Sequence, residues 1–177
     1  YNIHPVVGID FRNGIEQQFV GIAQNNKGFM ELNRFLSKHL EQKKNFPRRA
    51  PSFENSFIIY PLEKYKGAPL KPWEFVGIKP TQLLSKVMRN NDIPLHRLIA
   101  FQTGTFRNKK DFNAHRLLRA IDNNTLLSML AIEEQATFGD TIEQWDSLVM
   151  KFHLYPKLIR NLQFLLDTAS IQFDFGT

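Results

Sequence analysis

LIAFQTGTFRNKKDFNAHRLLRAI, residues Leu98 to Ile121, alternates apolar and basic groups in a pattern that suits two helices joined by a basic loop. Leu98, Ile99 and Phe101, preceded by Leu95, read as the apolar side of a short helix that Asp92 caps and Pro94 starts. A basic connection follows, with Arg107, Lys109 and Lys110. Asp111 then caps a second helix over Phe112 to Ile121, with Leu117, Leu118 and Ile121 facing inward and Arg116 and Arg119 facing water.

Working downstream, Thr125 opens a helix through Leu126, Leu127, Met129, Leu130 and Ile132. Asp140 and Glu143 form a capping arrangement ahead of Trp145, Leu148, Val149 and Phe152. Pro156 starts the last helix, whose stripe is Leu158, Ile159, Leu162, Leu165 and Leu166. Upstream, Pro80 begins a helix with Leu83, Leu84, Val87 and Met88 on its apolar face. The expected fold class is therefore all-α: an irregular helical domain of five or more helices. Residues 29–177 form that domain, entered through a helix over Phe29 to Lys43. An extended, Pro- and aromatic-rich segment covers 45–79, with room for a short strand at Phe57 to Tyr60 and with Trp73 as an anchor. Residues 1–28 read as an arm or linker with a short helix around Ile15 to Ala23.

The 177 residues suit one domain, and 42% hydrophobic against 23% charged residues excludes wholesale disorder. No cysteine is present, which excludes a disulfide scaffold, a Cys-based zinc site and a thiol nucleophile. The longest apolar runs fall far short of the ~20 residues that span a bilayer. Opening on Tyr1, the chain reads as a fragment.

The net charge of +6 is unevenly spread. Arg34, Lys38, Lys43, Lys44, Arg48 and Arg49 face one acid, Glu41. Arg107, Lys109, Lys110, Arg116 and Arg119 face Asp111 alone. From Ala120 to Met150 there are six acids and no Lys or Arg. Arginine pairs bind carboxylates and phosphates through parallel hydrogen bonds, so the basic blocks are the candidate binding residues for an acidic protein or for nucleic acid. On physical grounds the two partners are equal. Reversing Arg48 and Arg49 to Glu is expected to weaken capture of an acidic partner without loss of helix. No phosphate-binding loop, G-x-S-x-G elbow or H-E-x-x-H pair occurs. The five histidines are scattered, Phe106 and Phe112 read as core, and neither catalysis nor a cofactor is expected.

Three stretches together resemble the DotM (IcmP)/TrbA family of type IVB secretion and IncI-type conjugation systems. They are MELNRFLSKHLEQKKNFPRRAPS (Met30 to Ser52), PWEFVGIKPT (Pro72 to Thr81) and the Leu98 to Ile121 stretch. The resemblance implies a mostly helical, non-catalytic domain at the cytoplasmic face of the bacterial inner membrane. Its anchor lies outside this chain, and it acts beside a coupling ATPase of the DotL or TrbC kind. It further implies an Arg-rich surface that receives acidic export signals. Where the family has an Arg-containing stretch, this chain has Thr81 to Arg97, with Lys86, Arg89 and Arg97 as its cations.

Overall fold

The structure is a computed structural model that describes residues 4–84 and 93–173. Its centre is a five-stranded mixed sheet in the order β1-β2-β3-β4-β5, so the all-α expectation is overturned. The strands are β1 (Gly8–Asn13), β2 (Glu16–Ala23), β3 (Ser56–Pro61), β4 (Glu74–Ile78) and β5 (Leu98–Ala100). β1, β2 and β3 pair antiparallel, while β3, β4 and β5 run parallel. Among the described residues there are four α-helices: α1 (Asn26–Glu41), α2 (Lys109–Asp122), α3 (Trp145–Lys151) and α4 (Pro156–Thr168), of which α1 and α4 pack on the sheet.

The first correction is at the N-terminus. The expected arm and its short helix are a β-hairpin, turned by Gly14 at φ 61. Asn13 pairs with Glu16, leaving Gly14–Ile15 as a two-residue loop. Such a loop, with glycine at its first position, matches the right-handed twist of the flanking strands.

The second correction lies in the parallel half. Every residue of β3, β4 and β5 is buried. Strands covered on both faces lose the alternation that marks a half-buried strand, so a short apolar run such as Leu98–Ala100 mimics a helix turn. Only the 3-10 turn Leu95–Arg97 of the expected Leu95–Phe101 helix exists, and the chain then enters β5. The expected helix from Thr125 is two 3-10 turns, Leu127–Met129 and Ile132–Glu134. The Pro80 helix begins as a 3-10 turn, Pro80–Gln82, and its Val87, Met88 and the Asp92 cap lie outside the described residues.

Packing follows from strand register. Phe57, Ile59, Phe75 and Ile99 share one cluster with Leu165 of α4. Val76, Ile78, Leu98 and Ala100 form another with Phe152, Leu158 and Ile159. α4 thus serves both clusters beside β5, and the Asn161 amide donates to the carbonyls of Leu95 and Leu98 at 2.8 and 2.7 Å. An edge strand with open carbonyls invites foreign pairing, and this side chain covers part of that edge. α1 packs Leu32 against Phe11, Phe19, Ile58 and Tyr60. It approaches β3 so closely that a side chain at Gly28 would overlap the Asn55 carbonyl.

The third correction concerns α2. Its cap is Asn108, whose side chain accepts from the Lys110 and Asp111 amides, rather than Asp111. Its orientation is the reverse of that expected. Leu117, Leu118 and Ile121 face solvent, while Arg116 and Arg119 turn toward the body. At the next helix, Asp140 holds Thr137 instead of capping, and α3 starts after Gln144 without a side-chain cap.

Candidate functional site

Of the two basic blocks, the first keeps five exposed cations clustered at one helix end, while the second is mostly tied into the body. α1 ends in a Schellman motif: the Lys44 amide donates to the His39 carbonyl and the Lys43 amide to the Leu40 carbonyl. Lys43 takes the left-handed position at φ 50, where glycine is usual. Arg34 and Lys38, one turn apart, lead along the helix to Lys43 and Lys44, and Arg48 follows in the loop. All five are exposed. None makes a side-chain hydrogen bond or salt bridge among the described residues. Arg48 is close enough to Glu16 to help hold that carboxyl below its usual range, after the larger effect of Lys64.

Cations at a helix C-terminus also answer the macrodipole, which amounts to about half a charge. Five cations against Glu41 exceed that requirement several-fold, and the surplus is available to an anionic partner.

Arg49 is not part of this open surface. Its guanidinium donates to Glu74 at 2.5 Å and to the Pro69 carbonyl at 2.6 Å, and it lies over the Tyr60 ring. Arg97 is likewise structural: it donates to the Lys71 and Pro72 carbonyls and stacks over Phe75, fixing the Pro-Trp loop. In the second block, Arg107 pairs with Asp111 and holds that carboxyl below its usual range. Arg116 binds Gln135 and covers Phe112, while Arg119 binds Asp122 and the Glu134 carbonyl. Lys109 and Lys110, exposed in the first turn of α2, make no side-chain hydrogen bond or salt bridge among the described residues. Lys86 and Arg89 lie outside the described residues.

Phe106 is buried, and Phe112 packs on Phe106 and Phe138, so neither presents a free face for base stacking. Trp73 is 44% exposed and meets Phe57 edge-on, a partial anchor.

A cleft of about 740 Å³ was not foreseen from sequence. It opens beyond the carboxyl ends of β3, β4 and β5, where Lys64, Lys79 and Thr103 to Thr105 face α2 and the loop before Asp140. That end of parallel strands is the usual ligand side of α/β sheets. All of its cations are engaged: Arg12 with Asp10, Lys64 with Glu16, Lys79 with Glu63 and Arg119 with Asp122. His115 Nε2 accepts from the Ala136 amide, which occupies the nitrogen a general base would use. Among the described residues no cluster suits a metal ion, and no helix is long and apolar enough to cross a membrane. The signals that lead to this cleft are the Asn13-Gly14 turn and the buried runs Phe57–Tyr60 and Phe75–Ile78.

Comparison of the chain with protein-family models and with curated proteins finds no match.

Proposed function

We propose that this chain is a non-catalytic binding module that captures an acidic protein segment on the basic end of α1. The observation that supports this is the set Arg34, Lys38, Lys43, Lys44 and Arg48, exposed and without side-chain partners among the described residues. Lys43 keeps its charge at a left-handed backbone position that disfavours any residue with a Cβ by roughly 1 kcal/mol or more. Flexible lysines suit a segment of varied geometry better than a fixed bidentate clamp does, and the one arginine of the Arg48–Arg49 pair left open is Arg48.

The resemblance supplies the setting: a coupling-complex subunit at the cytoplasmic face of the inner membrane. There the acidic segment is an export signal and a coupling ATPase is the neighbour. The mixed sheet departs from the mostly helical body that the resemblance implies, so the proposal stands on the basic surface itself. Nucleic acid is the rival partner. The buried Phe106 and the packed Phe112 offer it no stacking platform.

The test is fluorescence anisotropy with a labelled Glu-rich peptide and, separately, with random duplex DNA over a salt series. Peptide binding without DNA binding of comparable strength is expected. Tight DNA binding with a steep salt slope would replace the acidic-protein reading with the nucleic-acid one. Co-purification of a coupling ATPase from the native host tests the setting separately.

A further inference from the structure

A strand at the end of a sheet turns the backbone groups of every second residue away from its neighbour. β1 is such a strand. The Ala23 amide donates to the Val7 carbonyl at 2.9 Å, and this sets the alternation. Val7, Ile9 and Phe11 turn their backbone groups to β2, and Gly8, Asp10 and Arg12 turn theirs outward. Among the described residues nothing pairs with the outward groups of these three. The other edge of the sheet differs, because α4 packs beside β5 and Asn161 takes the Leu98 carbonyl.

The basic surface lies at the end of this open edge. Asn13, the last residue of β1, donates to the Phe46 carbonyl at 2.9 Å and accepts from the Phe46 amide at 2.7 Å. Lys44 and Arg48 stand two residues to either side of Phe46, both exposed. The acids near the edge are already answered: Asp10 accepts from Arg12 and Gln17, and Glu16 pairs with Lys64. Half-buried Ile9, on the α1 side of the strand, leaves apolar surface for alternate side chains of an added strand. An extended acidic segment laid along β1 gains backbone hydrogen bonds from Gly8 to Arg12 and brings its carboxylates to Lys44 and Arg48. A helix spends its backbone groups on itself and gains only the charge contacts.

We infer that the acidic segment binds as a sixth strand on the free edge of β1 and continues past Asn13 onto Lys44 and Arg48. The inference rests on the capture of an acidic segment proposed above. It adds the conformation of that segment and the strand that holds its backbone.

The test is amide hydrogen exchange of the full chain, read residue by residue by NMR with and without a saturating Glu-rich peptide. Bound peptide slows exchange at Gly8, Asp10 and Arg12 by about tenfold or more, and changes Ile9 and Phe11, already bonded to β2, much less. Asp10→Pro removes one outward N–H from an edge strand, where proline is tolerated, and weakens peptide binding by about tenfold. Asp10→Ala keeps that N–H and does not weaken binding. If Asp10→Pro does not fold, exchange in the wild type decides alone. Peptide that binds while Gly8, Asp10 and Arg12 exchange as before would overturn the inference and leave the capture of an acidic segment standing. Absence of peptide binding would overturn both. Protection of the same amides that grows with protein concentration without peptide would also overturn the inference, because it gives the edge to a second copy.

Discussion

Arg49 reaches across from the loop after α1 to place its guanidinium 2.5 Å from the Glu74 carboxylate in β4, where Glu74 is 3% exposed. Glu74 is satisfied from three sides: Arg49, the Tyr60 hydroxyl at 3.0 Å and the Lys71 amide at 2.8 Å. The Ala50 amide donates to Tyr60 in turn. The network therefore ties the Pro-rich segment to two parallel strands. Glu74 is buried but Arg49 is half-exposed, and the variant leaves Glu74 with two of its three donors, so Arg49→Ala is expected to lose about 1–3 kcal/mol. Arg48→Ala is expected to stay within about 0.5 kcal/mol. Urea unfolding of the two variants checks this, and equal midpoints would refute it. Reversal of Arg49 to Glu is consequently a folding mutation rather than a test of binding.

Tyr60 gives the same network a pH signature. Burial pushes its hydroxyl well above the usual tyrosine range, and the Glu74 carboxylate pushes it the same way. Below about pH 10 both folded and unfolded states keep the proton, and the stability that the protonated hydroxyl contributes is fully present and does not vary with pH. Above that, the unfolded chain ionises first, so stability falls as pH rises. Tyr60→Phe removes this part of the alkaline slope. Urea midpoints measured through the alkaline range, with tyrosinate absorbance, decide it; parallel slopes for wild type and variant would contradict the assignment.

Gly28 marks the closest approach of α1 to the sheet. A Cβ there would overlap the Asn55 carbonyl, a backbone atom that cannot rotate away. Gly28→Ala is expected to destabilise by about 1–3 kcal/mol despite alanine's better helix propensity. A thermal melt that rises instead would show that α1 sits farther from β3.

Lys43 offers a variant that separates fold from function. Lys43→Gly relieves the left-handed backbone and is expected to change stability only slightly, between a gain of about 1 kcal/mol and no change, since glycine also gains freedom in the unfolded chain. The same variant removes one charge from the basic end of α1 and is expected to weaken the Glu-rich peptide measurably. Unaltered peptide affinity would remove Lys43 from the binding surface.

Amphipathic elements were legible in the residues, and doubly buried ones were not. The α1 stripe around Leu32 and Leu36 and the Pro156 start of α4 mark real helices because one face is wet and one dry. Phe57–Tyr60 was readable as a strand, but Phe75–Ile78 and Leu98–Ala100 carry no period because both faces are covered. The Asn13-Gly14 dipeptide was the missed local signal, and without it the sheet had no starting hairpin. α2 was placed correctly along the chain and rotated wrongly, since periodicity finds a stripe but does not say whether the body or a partner covers it. The basic blocks were legible as composition. Which cations remain open was not, because Arg49 is held by Glu74, 25 residues away in sequence, and Arg97 and Arg119 are held in part by the distant backbone carbonyls of Lys71 and Glu134.

The most direct test of the central claim is the affinity of a labelled Glu-rich peptide for wild type and for the Lys44→Glu/Arg48→Glu variant. These side chains are exposed and make no salt bridge among the described residues, so the variant should melt as the wild type does. A loss of about tenfold or more in affinity with an unchanged melt is expected. Equal affinity for the two folded proteins would contradict it.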